Sequence, residues 1–175
     1  MRRINYLLIS PQRLNTGVRK DMKLSPDWVT GFVDGEGTFY VGINSNQTMT
    51  VGYQILPEFR IVQHKKDIKV LYALKQFFGI GVVRINHDTR YELRIRAIEH
   101  LKNIVVPHFD KYPLATQKKF DFIKFKRIIN LMDQNKHLTK SGVIEIIAIA
   151  SKMNRQDKQK AMAIREKLSA NFISG

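Results

Sequence analysis

The chain is predicted to be α+β, with the order αββαββα forming one four-stranded antiparallel sheet and further helices following it. Apolar residues recur at helical spacing near Trp28 and again from Ile68 to Phe78. Between and after these stretches, apolar and polar residues alternate in four short runs, and beyond Pro113 only helical spacing is left.

The first helix opens at Ser25, a residue that caps, followed by Pro26, which suits a first turn. Trp28, Val29, Phe32 and Val33 carry it to the glycine-containing stretch Asp34-Gly35-Glu36-Gly37. Phe39, Val41 and Ile43 then alternate with Tyr40, Gly42 and Asn44 as a first strand, and a polar loop covers Asn44 to Thr50. Ile55, Phe59 and Ile61 mark the second strand. A helix on Ile68, Leu71, Leu74, Phe77 and Phe78 is ended by Gly79. Val83 and Ile85 form a third strand and Tyr91, Leu93 and Ile95 a fourth, joined by the turn Asn86-His87-Asp88-Thr89. Ile98, Leu101, Ile104 and Val105 read as a helix closed by Pro107. A long helix begins with Phe120, Ile123, Ile128 and Leu131, and two more lie at Val143 to Ala150 and Ala161 to Leu168. The expected organisation is a basic N-terminal arm over 1–24, a core over 25–135 and a C-terminal helical extension over 136–175.

Thirty Lys and Arg against fifteen Asp and Glu leave a formal charge of +15. Self-repulsion on that scale points to a polyanionic partner. Arg2, Arg3, Arg13, Arg19, Lys20 and Lys23 concentrate charge in the arm, a composition that a transit peptide shares. Cysteine is missing, which excludes disulfides, thiolate metal sites and a cysteine nucleophile. The five histidines show no zinc spacing. No apolar run approaches the roughly 20 residues that span a bilayer, and charge alone leaves nucleic acid, an anionic membrane surface or another acidic partner open; the partner expected is double-stranded DNA, with neither a membrane nor a small-molecule substrate.

Strand parity carries the partner argument. Odd positions are apolar and should face the helices. Even positions hold Tyr40, Asn44, Gln54, Glu58, Arg60, Arg84, Asn86, Arg90, Glu92, Arg94 and Arg96. A merely solvated face would mix Lys, Glu, Thr and Ser without bias of sign. Five arginines with Asn and Gln against two acids suit phosphates and base edges, since Arg pairs with guanine and Asn or Gln with adenine. These eleven residues are the expected contacts to double-stranded DNA, with the basic C-terminal stretch Arg155, Lys158, Lys160, Arg165 and Lys167 either touching phosphates or simply solvated.

The first helix ends against the electrostatic rule. Its last carbonyls carry roughly half a negative charge, yet Asp34 and Glu36 lie there with Gly35 between them. A divalent cation compensates such an end, because carboxylates and an orphan carbonyl are hard ligands; a turn-capping Asp34 beside a surface Glu36 is the plainer reading. Gly31 and Gly35 share one helix face, and each glycine in a helix costs roughly 0.8–1 kcal/mol relative to Ala, so close approach of a second helix is implied. If that helix belongs to a second copy, two acidic ends meet on a two-fold axis, an arrangement for cutting both strands of a duplex.

The run Trp28-Val29-Thr30-Gly31-Phe32-Val33-Asp34-Gly35-Glu36-Gly37 closely resembles the LAGLIDADG motif of homing endonucleases, and with the following ββαββα the resemblance covers roughly 25–135. It departs from that pattern at Thr30, where a small residue such as Ala is usual, and at Glu36, where Asp is common. The resemblance implies a saddle-like sheet and, with one motif, a homodimer joined through Trp28, Gly31, Phe32 and Gly35. It implies Glu36 as the catalytic, metal-binding acid, Asp34 as the less critical acid and Gly35 as a carbonyl ligand, with magnesium or manganese as cofactor. Gln63 matches a position that orders water, and Lys118, in Tyr112-Pro113-Leu114-Ala115-Thr116-Gln117-Lys118-Lys119, the active-site lysine, with Lys119 as competitor or phosphate contact. The implied function is site-specific double-strand DNA cleavage at a long pseudo-palindromic site, leaving 3′ overhangs and promoting intron mobility, often in a chloroplast or mitochondrion. An intron RNA maturase and a non-catalytic DNA-binding regulator are the alternatives.

Overall fold

The computed structural model describes residues 22–153 and 158–170. Helix α1, Pro26–Glu36, is capped by Ser25, whose side chain accepts the Trp28 N–H. It stops at Gly37, whose N–H returns to the Val33 carbonyl. A Cβ on Gly37 would lie 2.5 Å from Val33 Cγ1, so only glycine lets the chain pass directly from α1 into β1.

Strand β1, Gly37–Ser45, pairs with β2, Tyr53–His64, and the helix α2, Ile68–Phe78, follows after a short 3₁₀ turn. Gly79, with φ of 70°, supplies the left-handed residue that ends α2. Strands β3, Val82–His87, and β4, Arg90–Ile95, complete an antiparallel sheet in the order β1-β2-β4-β3. Phe39, Val41, Ile43, Ile55, Phe59, Ile61, Leu93 and Ile95 are buried on its helix-covered side, as strand parity predicts. Phe39 and Phe59 stand opposite one another and pack with Phe109, and Phe39 also meets Phe122 and Phe125.

Two expectations need correction. In β3 the parity is right but the burial is not: Ile85 is 62% exposed, because β3 is the sheet edge and carries an irregularity between Ile85 and His87. Pro107 does not close its helix. Short α3, Ile98–His100, runs through a π turn, Leu101–Val105, into α4, Val106–Lys111, with Pro107 in its first turn. The wider turn opens the hydrogen-bond ladder where proline has no N–H to give.

Helix α5, Lys118–Asp133, spans the covered side, and α6, Lys140–Ala150, and α7, Lys158–Ala170, follow it. Val143, Ile146, Ile147, Ile164 and Leu168 join the same buried cluster as the sheet residues. Among the described residues, no helix is long and apolar enough to cross a membrane.

Candidate active site and nucleic-acid interface

The C-terminus of α1, the start of β1 and the N-terminus of α5 enclose an open cleft of about 390 Å³. Asp34, Gly35, Glu36, Thr116, Lys118 and Asp121 line it, with Val62 of β2 and Arg90 of β4 on its sheet side. Asp34 is fully employed: its carboxylate accepts from the Ala115 N–H at 2.7 Å, the Thr116 hydroxyl at 2.7 Å and, at 3.3 Å, the Thr116 N–H. It caps no turn of its own. It fastens the end of α1 to the segment leading into α5, where free backbone N–H groups favour an anion.

Glu36 is different. It is exposed, lines the cleft and has no hydrogen bond or ion pair among the described residues. The unfavourable charge at the helix end is relieved from elsewhere: Lys118 Nζ donates to the Val33 carbonyl at 2.7 Å, so a cation from α5 sits on the negative end of α1. Lys119 is exposed outside the cleft, its ammonium 5.4 Å from the Phe120 ring, so of the two candidate lysines Lys118 is the one in the cleft. Gln63 is half-buried opposite Tyr91 and is not a lining residue, although its neighbour Val62 is.

Thr30 is explained by the packing. It is buried; its hydroxyl donates to the Tyr112 carbonyl at 3.3 Å and lies 3.3 Å from His108 Nε2, which ties α1 to the same segment that Asp34 holds. Burial among Phe77, Phe78, Phe109 and Tyr112 pushes the His108 imidazole below its usual value. Sequence reasoning missed Asp121, a buried acid paired with Lys124 at 3.6 Å. Its place three residues after Lys118, on the same helix face, was the available signal.

On the open face of the sheet, Tyr40, Gln54, Arg60 and Arg94 are half-buried, and Asn44, Arg84, Asn86, Arg90 and Arg96 are exposed. The two acids differ from the expectation of direct DNA contact. Glu92 is 0% and Glu58 7% exposed, because arginines fold over them. Glu92 accepts from Arg84 Nε at 2.7 Å and Asn86 Nδ2 at 2.8 Å, with Arg94 Nε at 3.9 Å. Glu58 faces Arg96 Nε at 3.0 Å and Arg60 Nε at 3.6 Å, the latter stacked 4.9 Å over Tyr40. Burying a carboxylate costs several kcal/mol unless it is paired in this way. Burial, and next the charges of Arg84 and Arg96, hold the Arg94 guanidinium below its usual value against the pull of Glu58 and Glu92.

The outer face of α1 carries Trp28, 43% exposed and stacked 4.9 Å on Phe32. Gly31 and Gly35 are exposed, and a Cβ on either would meet nothing within 4 Å. Among the described residues no three His, Asp or Glu side chains converge on a metal position. Glu36 and the backbone carbonyls beside it are hard oxygen donors of the kind that magnesium or manganese accepts. Of the basic C-terminal stretch, Arg165 and Lys167 are exposed; Arg155 and the arm over 1–21 lie outside the described residues.

A family model described as LAGLIDADG endonuclease matches residues 29–129. The probable intron-encoded endonuclease 2 of Neurospora crassa is 38% identical over 133 residues, 75% of this chain and 29% of that protein. The crystal structure of a homing endonuclease, I-TnaI, superimposes with a TM-score of 0.81 at 58% identity, over 84% of this chain and 99% of that one. I-SmaMI bound to uncleaved DNA target in the presence of calcium ions gives a TM-score of 0.78 at 34% identity, over 81% and 48% of the respective chains. The chain spans 29%, 26% and 25% of the length of the first curated relatives it matches.

Proposed function

This chain belongs to the LAGLIDADG endonuclease family, and from that premise we propose that it is a divalent-metal-dependent endodeoxyribonuclease that cuts both strands of a specific duplex site as a homodimer. The observation that carries the reading is the contrast between two neighbouring acids. Asp34 is consumed by hydrogen bonds, while Glu36, two residues on, faces the cleft beside an arginine-rich sheet.

The open face of Trp28, Gly31, Phe32 and Gly35 supports the dimer, since it leaves room for a second backbone. Two copies would bring two Glu36 carboxylates together at the centre of a pseudo-palindromic site. Glu36 and the Gly35 carbonyl would hold the ion, magnesium or manganese; when bound, it supplies Lewis-acid charge to the scissile phosphate and the departing 3′ oxygen. Lys118 places its ammonium beside the attacked phosphate and the approaching water, and Gln63 orders solvent behind them. Arg90, at the sheet side of the cleft, grips the adjoining phosphate. Tyr40, Asn44, Gln54, Arg60, Arg84, Asn86, Arg94 and Arg96 meet the groove, and Lys119 the backbone. Water enters in line, the bond from phosphorus to O3′ breaks, and staggered cuts leave 3′ overhangs.

The names of relatives as intron-encoded endonucleases support a homing role for an intron product, with an organellar genome as its setting. The test is incubation of the purified chain with a plasmid carrying the joined flanks of its own intron, with and without magnesium. Magnesium-dependent linearisation is expected. Tight intron RNA binding without cutting would favour a maturase, and duplex binding that survives chelation without nicking would favour a regulator.

A further inference from the structure

The recognition face contains one unit twice. Glu58-Phe59-Arg60 on β2 and Glu92-Leu93-Arg94 on β4 are the same acid–apolar–arginine triplet on adjacent antiparallel strands, and Arg60 and Arg94 stand directly opposite each other. In each unit the apolar residue enters the core and the acid is buried under the arginine two places on. Each acid also meets a second arginine: Arg84 of β3 beside Glu92, and Arg96, just past the end of β4, beside Glu58. In all four arginines the nitrogen facing the carboxylate is Nε, but the contacts differ. Arg84 donates a hydrogen bond at 2.7 Å and Arg96 lies at 3.0 Å, whereas Arg60 at 3.6 Å and Arg94 at 3.9 Å are held by charge alone, and the buried Arg60 Nε has no hydrogen-bond partner. For Arg84, bonded through Nε, the terminal Nη pair is left for the fork that matches guanine O6 and N7.

We propose that Glu58 and Glu92 are specificity-positioning residues, which touch no DNA themselves: Glu92 fixes Arg84 and Asn86, and Glu58 holds Arg96, in preset orientations for reading base edges, while their charge keeps Arg60 and Arg94 close to the sheet. Unheld, arginines this close repel one another and swing to phosphates, where they add affinity without sequence information. Held from below by a carboxylate, they present a fixed pattern, and their ordering entropy is spent at folding instead of at binding. Asn86, bonded to Glu92 through its amide nitrogen, is fixed with its carbonyl oxygen free to accept. The inference rests on the proposed reading that the chain selects a DNA sequence.

The test is selection of bound duplexes from a randomised double-stranded library by the full-length protein and by its Glu92→Gln and Glu58→Gln variants, beside affinity for one fixed non-target duplex. Wild type is expected to enrich a defined site. Each variant is expected to lose about tenfold or more of its discrimination at one block of adjacent base pairs, a different block for each. Affinity for the non-target duplex should stay equal or rise, because a negative charge has gone. Arg84→Lys keeps the charge, removes the fork and should relax the same block as Glu92→Gln, with the double variant losing no more. It gives an answer even if the Glu92 variant fails to fold, since a loss spread over all positions would show that the arginine merely contributes charge. Unchanged profiles, or a loss of equal size at every position, would overturn the inference alone. A wild-type protein that enriches no site would overturn the functional reading beneath it.

Discussion

The ammonium of Lys118 donates to the carbonyl oxygen of Val33 across 2.7 Å, between residues 85 positions apart in the chain. The bond puts the first residue of α5 on the last turn of α1, with Nζ at the rim of the cleft that Glu36 faces. Lys118→Met should slow strand cleavage by about 10²–10³-fold, the usual effect of deleting one preorganised donor, with less than a tenfold change in binding. Lys119→Met should instead lower the salt dependence of binding by about one phosphate contact and leave the cleavage step intact. Single-turnover kinetics beside a salt titration separate the two.

Glu36→Gln keeps the shape and removes the charge that would hold a cation. Cutting should vanish while duplex binding in the absence of metal persists. A variant that still linearises substrate would show that the acid was wrongly chosen.

Asp34→Ala removes a carboxylate that accepts from Ala115 and Thr116. A loss of about 1–3 kcal/mol in unfolding free energy is expected, read from urea melts. Some of the activity should remain, since the Asp34 carboxylate, though it lines the cleft, is taken up by fastening the segment before α5.

The Gly31 face separates folding from assembly. In Gly31→Leu the new Cβ meets nothing within 4 Å in the protomer and a poor helix former is replaced, so the unfolding free energy of the separate protomer should hold or rise by about 0.5–1 kcal/mol. Association in sedimentation velocity, and double-strand cutting with it, should be lost.

His108 predicts a pH dependence. Burial lowers its folded value, so the native state keeps the ring neutral while the unfolded chain takes up a proton below the ordinary value of about 6.5. The unfolded state then binds more protons, and stability falls as pH drops through that value toward the folded one; above it this contribution is constant. His137, lowered by burial against an opposing backbone bond from Met132, acts in the same direction. Melting temperature should decline from pH 7.5 to 5.5, and His108→Gln should flatten that decline.

Local rules made much of this molecule readable in its sequence. The Ser25 cap, the α2 stop at Gly79 and the alternation of Phe39, Val41 and Ile43 depend on neighbours in the chain, and the structure has them where periodicity puts them. The motif likewise singled out Asp34 and Glu36 as chemically unusual at a helix end. Sequence alone could not distinguish the duties of those two acids, because the groups that occupy Asp34 come from Ala115 and Thr116. The exposure of Ile85 follows from β3 lying at the sheet edge, and the helical continuation through Pro107 from a π turn, neither of which alternation reports. Composition and parity put Glu58 and Glu92 on the right face, yet only the register of β2, β3 and β4 buries them under arginines. Periodicity fixes which side of an element a residue occupies; partners distant in sequence decide what its charge meets there, and hence what it does.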